Sequence, residues 1–148
     1  MFAGAEAFNG DISKWNVSRV TDMKGMFDNA LAFNGDISKW NVSKVTNMEG
    51  MFGNAIAFDG DISEWKVSNV TDMSHMFAGA KIFNQKLNWN VSNVTDMDEM
   101  FLDAERFNQD LRGWVANVII MEDMFQGETP DMFQGATSFN RKYSPFIQ

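Results

Sequence analysis

The sequence predicts an α/β solenoid, a right-handed stack of five to six coils, each made of one short parallel strand and one short helix. Three observations predict it. The dipeptide Met-Phe recurs at Met1, Met26, Met51, Met76, Met100 and Met124, at spacings of 25, 25, 25, 24 and 24 residues. Tryptophan keeps step at Trp15, Trp40, Trp65, Trp89 and Trp114, and a second phenylalanine row runs Phe8, Phe33, Phe58, Phe83, Phe107 and again Phe139. Within each unit the apolar residues change period partway along. Several residue types held in register over successive copies mark a tandem array.

In chain order, each unit first offers a strand. In "ISKWNVSKV", Ile37, Trp40, Val42 and Val45 follow the spacing L-x-x-L-x-L-x-x-L, and Trp40 and Val42 lie two apart, on one side of an extended chain. The helix comes next. In "TNMEGMFGNAIAF", Met48, Met51, Phe52, Ala55 and Phe58 make an apolar stripe at helical offsets, with Thr46 or Asn47 to cap its start and Gly60 in the turn beyond. One strand and one helix per unit is the plan of a leucine-rich repeat. Neither element hides its apolar face alone, so coils stacked at about 4.8 Å would share one continuous core. Residues 1–148 are expected to form a single solenoid domain with coils starting near 1, 26, 51, 76 and 100. Residues 124–148, where Met124 and Met132 repeat Met-Phe at a broken interval and Pro130 intervenes, are expected to be a degenerate C-terminal cap. Two units are shortened, one between Leu87 and Trp89 and one near Val115.

Composition narrows the functions. Lys and Arg total 12 against 20 Asp and Glu, a net charge of −8 with no basic cluster, which argues against nucleic acid or an anionic membrane as partner. No cysteine is present, which removes disulfides, thiolate zinc sites and a cysteine nucleophile. No apolar run reaches the length of a membrane span. The stretch "MFAGAEAFNGDISKW" has neither the basic start nor the apolar core of a secretory signal.

The pattern "MFxxAxxFNxDISxWxVSxVTxM" resembles the 25-residue repeat of BspA-like leucine-rich-repeat surface proteins and mycoplasma lipoprotein-like repeats, closely over residues 1–114 and loosely beyond. The resemblance implies a variant leucine-rich-repeat fold on a cell surface or outside the cell, serving adhesion or host interaction, and it implies no catalytic residues.

Each repeated row has a packing reading and a functional one. The tryptophans are core residues at leucine positions, or else a platform for sugars. Asn9, Asn34, Asp59, Asn84 and Asn108 read as a ladder of turn amides. Asp11, Asp36, Asp61 and Asp110, interrupted by Lys86, read as solvated turn residues or as a calcium row. Asp22, Asn47, Asp72 and Asp96, beside Thr21, Thr46, Thr71 and Thr95, read as helix caps. Ser18, Ser43, Ser68 and Ser92 with those threonines make hydroxyl rows of the kind an ice-binding surface would use. Asn16, Asn41, Asn69, Asn90 and Asn93 open Asn-Val-Ser or Asn-Val-Thr triplets, glycan acceptors on a eukaryotic secretory route. His75, the single histidine, reads as an idle solvent position on a helix, with no nucleophile motif beside it. No catalytic residue, metal ligand or cofactor site is expected.

What remains for function is the outward side of the strands. Its candidate binding face is Lys14, Asn16, Ser18, Lys39, Asn41, Ser43, Glu64, Lys66, Ser68, Asn88, Asn90 and Ser92. The face is polar, mixed in charge and lacks the aromatic or arginine anchors of tight interfaces, which suits a weak or multivalent protein or glycan ligand. A binding or adhesion module is the expected function. The alternatives are a self-assembling structural element pairing end to end through its N-terminal coil, and an ice- or calcium-binding array.

Overall fold

The computed structural model describes residues 1–114, 135–140 and 142. Its organising feature is a set of backbone bonds that skip one whole repeat. The N–H groups of Met23, Gly25, Phe27 and Asn29 donate to the carbonyls of Asn47, Glu49, Met51 and Gly53 at 2.7–2.9 Å. One unit later Met48, Gly50, Phe52 and Asn54 donate to Asp72, Ser74, Met76 and Ala78, and the next unit repeats the pattern. Each repeat is therefore one coil laid on its neighbour. Coils 1 to 4 comprise residues 1–25, 26–50, 51–75 and 76–99, and coil 5 begins at 100.

The residues between these donors bond within their own coil. Met26, Asp28 and Ala30 donate to Met23, Gly25 and Phe27, three residues back, at 3.0–3.2 Å. N–H groups that alternate between the next coil and the i−3 carbonyl are incompatible with an α-helix, whose interior donors all turn inward to i−4. The backbone signs agree. Gly25, Asn29, Gly50, Asn54, His75, Gly79, Glu99 and Asp103 all have φ between 51° and 70°, so each of these coil segments carries two left-handed residues four apart. A right-handed helix breaks at such residues. The predicted helix is thus replaced by consecutive tight turns, whose closing residues Met48, Met51, Ala55 and Phe58 fall about three apart and imitate a helical stripe.

The predicted strand fails as well. Trp40 N–H closes a turn on Ile37 and Val45 N–H one on Val42, at 3.1 and 2.9 Å. The side chains of Asp36 and Asn41 take the N–H groups of Ser38 and Ser43, at 3.0 and 3.1 Å. Such local bonds compete with a sheet ladder for the same donors. Parallel pairing survives as single bridges, from Asp22 to Asn47, Asn47 to Asp72 and Asp72 to Asp96. The α/β fold class and its leucine-rich-repeat plan are therefore corrected: among the described residues there is neither a helix nor a sheet, and each coil is a ring of turns. The row expected to cap helices caps turns instead. Asp22, Asn47, Asp72 and Asp96 each accept the N–H two residues ahead, at 2.9–3.0 Å.

Inside the rings the apolar rows stack in register. Phe27, Phe52, Phe77 and Phe101 lie 5.5–5.6 Å apart with planes within 8° of parallel. The row Phe33, Phe58, Phe83 and Phe107 runs beside it, and within each coil the paired rings are 4.0–4.1 Å apart. Offset stacking of this kind adds to the area that the rings remove from water. Met48, Met51, Met76 and Met100 are fully buried among them, where flexible thioethers fill gaps between rings.

The asparagine ladder joins coils by side chain to backbone. Asn34 N–H donates to Asn9 Oδ1, Asp59 to Asn34, Asn84 to Asp59 and Asn108 to Asn84, all at 2.9–3.0 Å. Only the oxygen is used, which is why Asp59 serves among asparagines. The ladder ends on Asn140, whose N–H donates to Asn108 Oδ1 at 2.8 Å, while Phe139 stacks on Phe107 at 6.0 Å. Residues 135–140 thus continue the stack with a register step of 32. The rest of the expected cap, including Met124 and Pro130, lies outside the described residues.

Candidate functional site

The tryptophan row is closed to ligands. Trp40, Trp65, Trp89 and Trp114 are 3–5% exposed, and each indole Nε1–H donates to a carbonyl of the preceding coil (Ile12, Ile37, Ile62 and Leu87) at 3.0–3.1 Å. A buried indole needs such a partner. Trp15, in coil 1, is 43% exposed.

The threonine hydroxyls are likewise occupied. Thr46, Thr71 and Thr95 donate to the carbonyls of Thr21, Thr46 and Thr71 at 3.0–3.2 Å, so they tie coils together. In the aspartate row the carboxylates serve their own turns. The Ser13, Ser38 and Ser63 hydroxyls, followed by the same residues' N–H groups, hold Asp11, Asp36 and Asp61 below the usual carboxylate range. Arg112, through its guanidinium and then its backbone N–H, lowers Asp110 to about 2. No group of three or more His, Asp or Glu side chains among the described residues is placed to hold a metal ion.

His75 is not idle. It occupies a left-handed position that coils 1 and 2 fill with Gly25 and Gly50, and its Nε2 lies 2.8 Å from Glu99 Oε2, at the equivalent position of the next coil. Beside this pair, burial and the neighbouring Asp96 push the Asp98 carboxyl upward. Lys24 with Glu49 and Lys81 with Glu105 make two further ion pairs between consecutive coils.

The candidate binding face lies on the surface as one tract. Lys14, Asn16, Lys39, Asn41, Glu64, Lys66, Ser68, Asn88, Asn90 and Ser92 are exposed, while Ser18 and Ser43 are half-buried. Its members differ in availability. Asn16, Asn41 and Asn90 spend Oδ1 on the N–H of Ser18, Ser43 and Ser92 at 3.1 Å. Lys14, Lys39, Glu64 and Lys66 form no ion pair among the described residues.

Sequence reasoning missed the one break in this tract. Coils 1, 2, 3 and 5 close a turn from Ile12, Ile37, Ile62 or Leu111 to the tryptophan three residues on. In coil 4 Leu87 and Trp89 are only two apart and no such turn forms. Grooves open on both sides of the shortened segment. One, of about 220 Å³, is lined by Ser63, Glu64, Trp65, Lys66, Val67, Ser68, Asn88 and Asn90. The other, of about 600 Å³, is lined among the described residues by Lys86, Leu87, Asn88, Gln109, Asp110, Arg112 and Gly113. The signal was the missing residue itself, visible as a Leu-x-Trp spacing where the other coils have Ile-x-x-Trp or Leu-x-x-Trp.

These features define a tandem-repeat protein whose coils are joined by backbone, asparagine and tryptophan ladders, and whose apolar side chains are committed to the stack. The chain belongs to the family described as Mycoplasma protein of unknown function, DUF285, whose model matches residues 1–88 and again residues 57–146. Two overlapping matches are what a repeated unit produces. Neither the curated proteins nor the solved structures compared with the chain gave a match.

Proposed function

We propose that the protein is a non-enzymatic binding module of the BspA-like surface type, which attaches to protein or glycan ligands through the repeated polar face. The observation that carries this reading is the division of labour among the rows. Aromatic, methionine, threonine and ladder asparagine side chains are consumed by stacking, whereas Lys14, Lys39 and Lys66 recur in register on the surface without ion-pair partners among the described residues. Equivalent charges on consecutive coils suit a ligand that repeats, because several weak contacts then add through effective concentration.

The test is attachment of the purified chain to host matrix proteins, cell surfaces and glycans. The variant Lys14→Glu, Lys39→Glu, Lys66→Glu should bind at least tenfold more weakly with an unchanged near-ultraviolet circular dichroism spectrum. Undiminished binding by that variant, or no binding by the parent, overturns the proposal.

A further inference from the structure

We propose that the recess beside the shortened turn of coil 4 receives an extended segment of polypeptide, held between Glu64 and Lys66 of coil 3 and Asn88 and Asn90 of coil 4. This rests on the binding-module reading and gives it a site and a ligand class.

The first observation is an unused backbone donor. Trp15, Trp40, Trp65 and Trp114 each give their N–H to the carbonyl three residues back at 2.9–3.2 Å. Trp89 has lost that acceptor with the deleted residue, and its N–H has no partner among the described residues although the residue is 4% exposed. Buried backbone donors are nearly always satisfied. A carbonyl from outside the chain would satisfy this one.

The second observation is the set of side chains in the 220 Å³ groove. Glu64, Lys66 and Asn88 make no hydrogen bond or ion pair among the described residues, and Asn90 spends only its oxygen, on Ser92. A carboxylate, an ammonium and two amides are therefore available together. An amide side chain presents one donor and one acceptor side by side, the complement of a peptide group. Glu64 and Lys66 are two residues apart, as are Asn88 and Asn90. In extended chain that is a repeat of roughly 6.6–6.8 Å, the same as that of a peptide lying alongside.

The alternatives fit less well. Neighbouring charges of opposite sign give no preference for a polyanion. A saccharide would gain most from an aromatic face, and the indoles of Trp65 and Trp89 are buried at 3% and 4% exposure.

The experiment selects 12-residue linear peptides from a random display library against the full chain, with a printed saccharide array in parallel. Selected peptides are then titrated into isotope-labelled protein. Two variants accompany the parent: Asn88→Ala, and a chain in which Lys86–Asn88 is replaced by the coil 3 sequence Asp-Ile-Ser-Glu, restoring the turn. The expected result is movement of the Trp89 and Asn88 amide resonances and at least tenfold weaker peptide binding by both variants. Peptide binding that survives the restored turn, or hits on saccharides alone, overturns the assignment. If no peptide is selected while the chain still attaches to surfaces in a lysine-dependent way, the groove assignment falls and the binding-module reading stands. Absence of both overturns both.

Discussion

At the scale of single residues, left-handed positions decide the path of the chain. Gly50 and Gly79 both sit at positive φ, 59° and 70°, but their surroundings differ. A Cβ on Gly50 would meet nothing within 4 Å, whereas one on Gly79 would collide with Asn54 Oδ1, the side chain of the equivalent position one coil earlier. Gly50→Ala should therefore cost only the backbone term, about 1 kcal/mol. Gly79→Ala should cost that and the displacement of Asn54, about 2–3 kcal/mol in total. Urea unfolding of the two variants measures the difference, and equal losses would show that the collision is relieved without effect. These residues also explain why the helix was misread. Apolar offsets report which side chains turn inward but not the sign of φ. The warning lay in Gly50, Gly53 and Asn54, three poor helix formers inside one supposed helix.

At the scale of the element, the unit is the tight turn closed by a short polar side chain, and its weakness is acid. Asp11, Asp36, Asp61 and Asp110 have carboxyls held below their ordinary value of 3.8, the last at about 2. A depressed carboxyl contributes stability that is full above its unfolded value and is lost as pH falls through its folded one. Asp98 is shifted upward, so its protonation on acidification acts in the opposite direction. The melting temperature should fall between about pH 4 and pH 2. Replacing the four depressed aspartates with asparagine retains an oxygen for each turn N–H and removes the charge. That variant should lose less on acidification in melts at stepped pH; a decline equal to the parent's would place the acid sensitivity elsewhere. The inward rows of Trp, Phe and Met were legible in the sequence because period and hydrophobicity alone determine them. The turns were not, because Asp36, Asn41 and Ser43 are equally compatible with the polar side of a strand. Only the geometry shows that their side chains take the backbone donors first. The binding face was legible as a surface, but the spent oxygens of Asn16 and Asn41 were not.

For the whole molecule, stability is a sum over coil-to-coil interfaces. Backbone, asparagine, threonine and tryptophan bonds between coils 1 to 5 run to an adjacent coil, so these coils are alike in their connections. Excising residues 26–50 joins Gly25 to Met51 in register and removes one coil with one interface. The shortened chain should fold, unfold with a denaturant slope lower by about one-sixth, and melt at lower temperature. Failure to fold would show that coil 2 makes a contact its neighbours do not.

The bonds between neighbouring coils have a mechanical corollary. Because they run along the stack, tension applied from end to end loads one interface at a time. The outermost ring lets go as a packet, releasing roughly 80–90 Å of slack thread, while the rings behind it stay closed. A tether built this way yields in instalments and absorbs a pull instead of snapping.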